Sequence, residues 1–298
     1  MLTYAVERLD TVHLEAAMPL QSYDLMSPFV WKEGKRYRML FRGVPRPMTA
    51  TSPTGIIFGA DSDDGLHFLV RDRPAITPGP EATTVGGCED PTVVVCDDGR
   101  YLLFFTGVDA SRSQGAMLLA EGSDMAHLVK REVLFKAPKD EGNFKEATLA
   151  HTPSGDWRLF YEYAAHDASR IGMAIGTSLE GPWTVCPDPF AIREDSWDNW
   201  HLSTGPMATV PGYDPVMFYN GSTHDARWRI GWICFDPDFT RVTDRGVEPL
   251  LLPPPAKQRS ATDIAFAAST VLEDDRIALY YSLEDRKLVR AMVRRFAT

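Results

Sequence analysis

The sequence predicts an all-β chain folded as a five-bladed β-propeller, and three observations predict it. A polar lead-in followed by a short aromatic strand occurs five times: KRYRMLFRG (35–43), GRYLLFFTG (99–107), GDWRLFYEY (155–163), YDPVMFYNG (213–221) and DRIALYYSL (275–283). The aligned aromatics Phe41, Phe105, Tyr161, Tyr219 and Tyr281 are 64, 56, 58 and 62 residues apart, a spacing of one supersecondary unit per repeat. No long stretch between them has the period of an amphipathic helix. A small sheet cannot bury both faces alone, so such units stack on their neighbours. When the stack closes into a ring, the site lies at the mouth of the central channel.

Each repeat reads as strand, turn, strand, turn, strand, with a more variable fourth strand. The first strands are SPFVWKE (27–33), DPTVVVCD (90–97), ATLAHTP (147–153), GPMATVP (205–211) and AASTVLED (267–274). The third strands follow the aromatic phrases at 55–68, 116–128, 171–183, 229–242 and 288–296. The first three of these end in Ser/Asp/Gly turns that supply hairpin geometry. The segments 78–87 and 251–260 read as loops, the second because PPP cannot donate to a ladder. The last repeat runs almost to Thr298, so residues 4–9 are expected to complete its blade and close the ring. One domain spanning 1–298 is therefore expected.

Bulk composition narrows the function. The 298 residues carry 31 Lys+Arg against 41 Asp+Glu, a formal net charge of −10. With no basic run, nucleic acid and membrane are not expected partners. No apolar stretch approaches the ~18 residues of a membrane span. Cys88, Cys96, Cys186 and Cys234 form no C-x-x-C pair, and no zinc-like spacing appears. The first ten residues lack a signal-peptide core, so cytoplasmic free thiols are expected. No metal and no cofactor is expected.

The residues just before each first strand should face the channel mouth. They are Asp24 and Ser27, Glu89 and Asp90, Lys145 and Glu146, His201 with Ser203 and Thr204, and Thr262 and Asp263. Four of the five repeats thus place a carboxylate at what reads as an equivalent point. Crowded carboxylates raise one another's proton affinity, and a carboxyl pair in unlike environments is what glycosidic cleavage uses. Trp197, Trp200, Trp228, Trp232 and Tyr163 lie in or beside the mouth loops and offer rings for sugar stacking.

GGCEDPTVV (86–94) resembles the G-x-E-D-P-R signature of glycoside hydrolase family 130, the β-mannoside phosphorylases and mannosidases. SPFVWKEGKRYRMLFRG (27–43), KEATLAHTPSGDWRLFYEY (145–163), GVEPLLLPP (246–254) and DIAFAASTVLEDDRIALYYSLED (263–285) are similar to further parts of the family, in its order. The resemblance implies an inverting enzyme with Asp90 as general acid. It departs at Thr92, where the family has Arg, and at Asn220-Gly221, where the family has His-Gly. Both departures weaken a phosphate site, which needs charge-assisted donors; Lys145 remains, and Arg42, Arg193, His201, His224 and Arg227 could compensate.

A hydrolase needs a carboxylate base, with Glu146 and Asp263 ranked first and Asp24 and Glu162 after them. Arg42, Glu89, Lys145, Glu162, Trp200, His201 and Asn220, with Asp24, are the candidate substrate-binding residues. The reading is an inverting glycosidase on β-mannosidic or related linkages in short oligosaccharides. The alternatives are a β-mannoside phosphorylase, with inorganic phosphate as second substrate, and a non-catalytic sugar-binding propeller.

Overall fold

The computed structural model describes residues 2–135 and 142–297. The repeats become five antiparallel blades. Blade one contains Tyr23–Glu33, Arg36–Pro45, Ile56–Ser62 and His67–Val70, with His13–Glu15 added in parallel at its outer edge. Blade two contains Gly87–Val95, Tyr101–Val108, Gly115–Gly122 and Val129–Phe135; blade three contains Gly142–His151, Trp157–Ala165, Ala168–Gly176 and Thr184–Cys186. Blade five contains Ala265–Glu273, Arg276–Leu283 and Lys287–Ala297, completed by the N-terminal strand Leu2–Thr11. That strand pairs antiparallel from Leu2 with Ala297 to Thr11 with Val289, a longer zipper than the sequence pattern suggested.

Blade four is broken where the others are continuous. His201–Ser203 and Met207–Ala208 make its inner edge, separated by Thr204-Gly205-Pro206. A Cβ on Gly205 would lie 1.7 Å from the Phe218 carbonyl oxygen, so only glycine fits. Pro206 has no N–H to give the ladder. Among the described residues the helical segments are two single 3-10 turns, Leu20–Ser22 and Ala256–Gln258, the latter just after the PPP run.

The repeat aromatics explain the ring. Successive side chains of a strand point to opposite faces. Phe41, Phe105, Tyr161, Tyr219 and Tyr281, all 0–3% exposed, each pack into a core cluster shared with the preceding blade. The residue before each of them (Leu40, Phe104, Phe160, Phe218, Tyr280) packs against the following blade. Five clusters thus fill five seams, and the fifth blade meets the first. The alternation that makes a strand makes the ring.

Polar stitches fix the inner strands. Each of the first three inner strands carries a bulge, with register shifts at Met26/Phe29, Glu89/Thr92 and Lys145/Thr148. Bulges and strand breaks free carbonyls from the ladder, and hydroxyls of neighbouring blades reach carbonyls of the inner strands. Thr92 Oγ1 donates to the Ala147 carbonyl (2.7 Å), Thr148 Oγ1 to Gly205 (2.9 Å), Thr270 Oγ1 to Met207 (2.9 Å) and Ser269 Oγ to Pro28 (2.7 Å).

Candidate active site

The three bulges aim side chains at one place. Ser27, Asp90 and Glu146 occupy equivalent bulge positions with φ of 50°, 50° and 51°. Left-handed backbone at a non-glycine residue costs about 1–3 kcal/mol and persists only where the surroundings enforce it. Here Pro28 and Pro91 follow directly and relieve the ladder of a donor. All three residues line a cavity of about 490 Å³ at the inner ends of the blades.

Its polar wall is dominated by acids. Glu89, Asp90, Glu146, Glu162 and Asp285 line it, against Arg42, Lys145 and Arg112. Arg42 Nη2 donates to Glu89 Oε1 (2.8 Å), its Nη1 lies 3.4 Å from Asp90 Oδ1, and two of its nitrogens hold the Thr54 carbonyl (3.0 and 2.7 Å). Ser27 Oγ donates to Asp90 Oδ1 (2.9 Å), while Ser27 N donates to Ser282 Oγ (2.8 Å). Asp90 Oδ1 is therefore contacted from two sides, by Ser27 and Arg42. Lys145 Nζ stands 3.7 Å from Glu89.

Burial sets the protons. It pushes the Glu146 carboxyl well above the usual glutamate range, and the charges of Asp90 and Glu162 push it further. Burial also raises Glu162, against the pull of Lys145 and of Ser169 Oγ, which donates to it at 3.0 Å. Asp285 is raised by burial and by Asp90, with Arg42 opposing. Burial works against the charge on Lys145, but Glu89, Asp90 and Glu162 outweigh it and hold the amine above its ordinary value.

The structure brings Arg42, Glu89, Asp90, Lys145, Glu146 and Glu162 together at this cavity. It places the other sequence candidates elsewhere. Asp263 faces Arg259 and Arg227 (3.6 Å to the latter); blade five's carboxylate in the cavity is Asp285, from the turn between its second and third strands. Asp24 is held by Arg286 (2.9 Å) and Arg46 (3.2 Å). The bulge register makes Ser27, not Asp24, the counterpart of Asp90 and Glu146.

Asn220 is fully buried in the seam between blades four and five. Its Nδ2 donates to the carbonyls of Thr204 (2.7 Å) and Ala267 (3.2 Å), and Ala267 N donates to its Oδ1 (2.7 Å). Trp200 packs on His224, with ring centroids 4.6 Å apart. His201 accepts from Ser169 N at Nδ1 (3.0 Å) and stacks on Trp228. Neither Trp200 nor His201 lines the cavity.

Asp285, Arg112 and Phe266 escaped the sequence reading. Asp285 stands in the turn four residues beyond Tyr281, and the equivalent Asp109, four beyond Phe105, does not line the cavity, so the repeat pattern carried no signal for it.

No family model matches the chain. Among solved structures, β-1,2-mannobiose phosphorylase from Listeria innocua, in complex with β-1,2-mannobiose, superposes with a TM-score of 0.75 at 17% identity, covering 96% of this chain and 90% of that one. A family 130 structure, described in terms of glycoside hydrolases that target β-1,2 mannosidic linkages in Candida mannan, gives 0.74 at 21% identity, with 91% and 84% covered. This chain has the fold of the family 130 enzymes. A glycosyl hydrolase from Bacteroides ovatus gives 0.76 at 21% identity over 91% and 84%. In sequence, the Listeria phosphorylase is 25% identical over 237 residues, 77% of this chain. The match spans 63% of that relative's own length. In the family 130 fold the E-D-P motif of this chain lies on the inner strand of blade two, where its bulge turns Asp90 into the cavity.

Proposed function

We propose that the chain, acting as one propeller domain, is an inverting glycoside hydrolase that cleaves β-mannosidic bonds in short oligosaccharides. The observation that carries this is the charge of the cavity wall, five carboxylates against three cations, with the best-placed cation, Arg42, already committed to Glu89, Asp90 and the Thr54 carbonyl. A phosphate dianion entering such a wall finds Arg42 and Lys145 already facing a carboxylate, whereas a neutral sugar offers hydroxyls for which carboxyl groups are acceptors. In the hydrolytic step, water attacks the anomeric carbon as the glycosidic C–O bond breaks. One carboxylate takes the water's proton and the other carboxyl gives its proton to the leaving oxygen.

Asp90 and Glu146 are the pair that divides these roles. Acid and base are told apart by environments that push their proton affinities in different directions. Resemblance implies Asp90 as the acid. The raised Glu146 carboxyl makes the reverse assignment the alternative: burial first, then the charges of Asp90 and Glu162, push it well above the usual glutamate range. Azide discriminates the two, because it rescues only the variant lacking the base, either Asp90→Asn or Glu146→Gln.

The phosphorylase reading is favoured by one observation, the Lys145 amine bordering the cavity with its nearest carboxylate among the described residues, Glu89, 3.7 Å away. It is also the activity named for the Listeria relative. Product analysis by NMR on β-1,2-mannobiose, with and without inorganic phosphate, separates the readings. Free mannose without phosphate is expected. A sugar 1-phosphate formed only with phosphate, and lost in Lys145→Ala, would refute the hydrolase.

A further inference from the structure

We propose that the Trp228 indole is the platform on which a pyranose ring of the substrate lies, with His201 and Phe266 as the residues that hold it in place. This deepens the sugar-cleaving reading and rests on it. Trp228 opens the strand Trp228–Ile230 of blade four and borders the cavity beside Ile264 and Phe266. Its neighbours fix the ring. The His201 imidazole lies nearly parallel to it at 5.5 Å and 26°, and Phe266 meets it at 5.4 Å and 63°. His201 is itself pinned, since its Nδ1 accepts from Ser169 N (3.0 Å). Burial, with Arg170 and His224 adding to it, lowers the proton affinity of that imidazole. The backbone is tied as well: Trp228 N donates to the Asp263 carbonyl of blade five (3.1 Å).

A pyranose has C–H groups on its faces and hydroxyls around its edge. A cavity with a rigid aromatic surface on one side and hydroxyl-accepting carboxylates on another matches both features, and an electron-rich indole face attracts polarised C–H groups. An inorganic anion would have no use for the indole. The other three tryptophans of the mouth loops are engaged elsewhere, Trp232 among them, packed on Tyr4 at 5.0 Å. Trp197 stacks on Tyr219 at 5.6 Å and donates to the Val247 carbonyl, and Trp200 packs on His224.

The experiment is calorimetric titration of β-1,2-mannobiose into the full chain carrying Asp90→Asn, so that binding is read without turnover. Adding Trp228→Ala is expected to weaken binding at least tenfold, and Trp228→Leu, which keeps the bulk, to do the same. Trp228→Phe should stay within about threefold of the parent, and Trp200→Ala should match it. His201→Ala should fall between, and His201→Phe should restore affinity, a rescue that a purely structural role would not show at constant melting temperature. Affinity within twofold of the parent in Trp228→Leu overturns the platform. A parent that binds no mannoside overturns the mannoside reading and the platform with it. Binding lost at Trp228 in a chain whose natural sequence forms only sugar 1-phosphate overturns the hydrolase reading and leaves the platform standing.

Discussion

Replacing Asn220 tests whether it holds the seam or the substrate. The amide makes three hydrogen bonds to backbone groups on two blades, at 2.7, 3.2 and 2.7 Å, and is 0% exposed. Asn220→Ala leaves the Thr204 carbonyl and the Ala267 carbonyl and N–H without that partner. A net hydrogen bond is worth about 1 kcal/mol, rising to about 1–3 kcal/mol for a buried group left unsatisfied. Three bonds give about 3 kcal/mol or more, which for a chain of this size lowers Tm by roughly 6 °C. Asn220→Asp should cost more, because it turns a donor into an acceptor facing two carbonyls and buries a charge. The assay is urea and thermal unfolding of the full chain, paired with the affinity for β-1,2-mannobiose. An Asn220→Ala chain with unchanged Tm and weakened sugar binding would refute the reasoning and return Asn220 to the substrate-binding role its sequence position suggested.

Two further outcomes follow from the same structure. The raised Glu146 carboxyl ionises in the unfolded chain before it does in the folded one, so wild-type stability is lost as pH climbs from about 4.5, the ordinary glutamate value, through the folded value. Glu146→Gln removes that titration; its stability relative to wild type should be constant at acid pH and improve across that window in urea unfolding, and a difference independent of pH would contradict the assignment. Deleting residues 1–10 removes the strand paired with Lys287–Ala297 and the buried Tyr4 ring, which packs 5.0 Å from Trp232 and 5.6 Å from Phe218. Loss of a buried aromatic alone costs about 3–5 kcal/mol, so Tm should fall by several degrees or more, and an unchanged melting curve would show that the strand does not complete the blade.

Much of the fold was legible because its signals are local. The repeat aromatics, the alternation around them and the turn residues all lie within a dozen residues of one another, and each blade is one such unit. The bulges themselves were not read from the sequence; the structure shows Pro28 and Pro91 directly after two of the bulged residues, where a ladder donor is absent. Lys145, Glu146, Glu89 and Asp90 were legible because repeat symmetry placed them together.

The candidates that moved did so for reasons of reach. Asp24 lies three residues before Ser27, the bulge residue of its strand, and Asp263 two residues before its strand begins, and at those places Arg286 and Arg46, and Arg259 and Arg227, capture them. Asn220 reads as a polar residue at a mouth, but its side chain is long enough to bridge two backbones across a seam. The sequence by itself determined the number of blades, their order and the acids most able to converge, because these follow from period and pattern. Tertiary structure decided which acids share the cavity, which carboxyl keeps a proton and which tryptophan borders the site, because those depend on bulge register, burial and contacts between residues far apart in the chain.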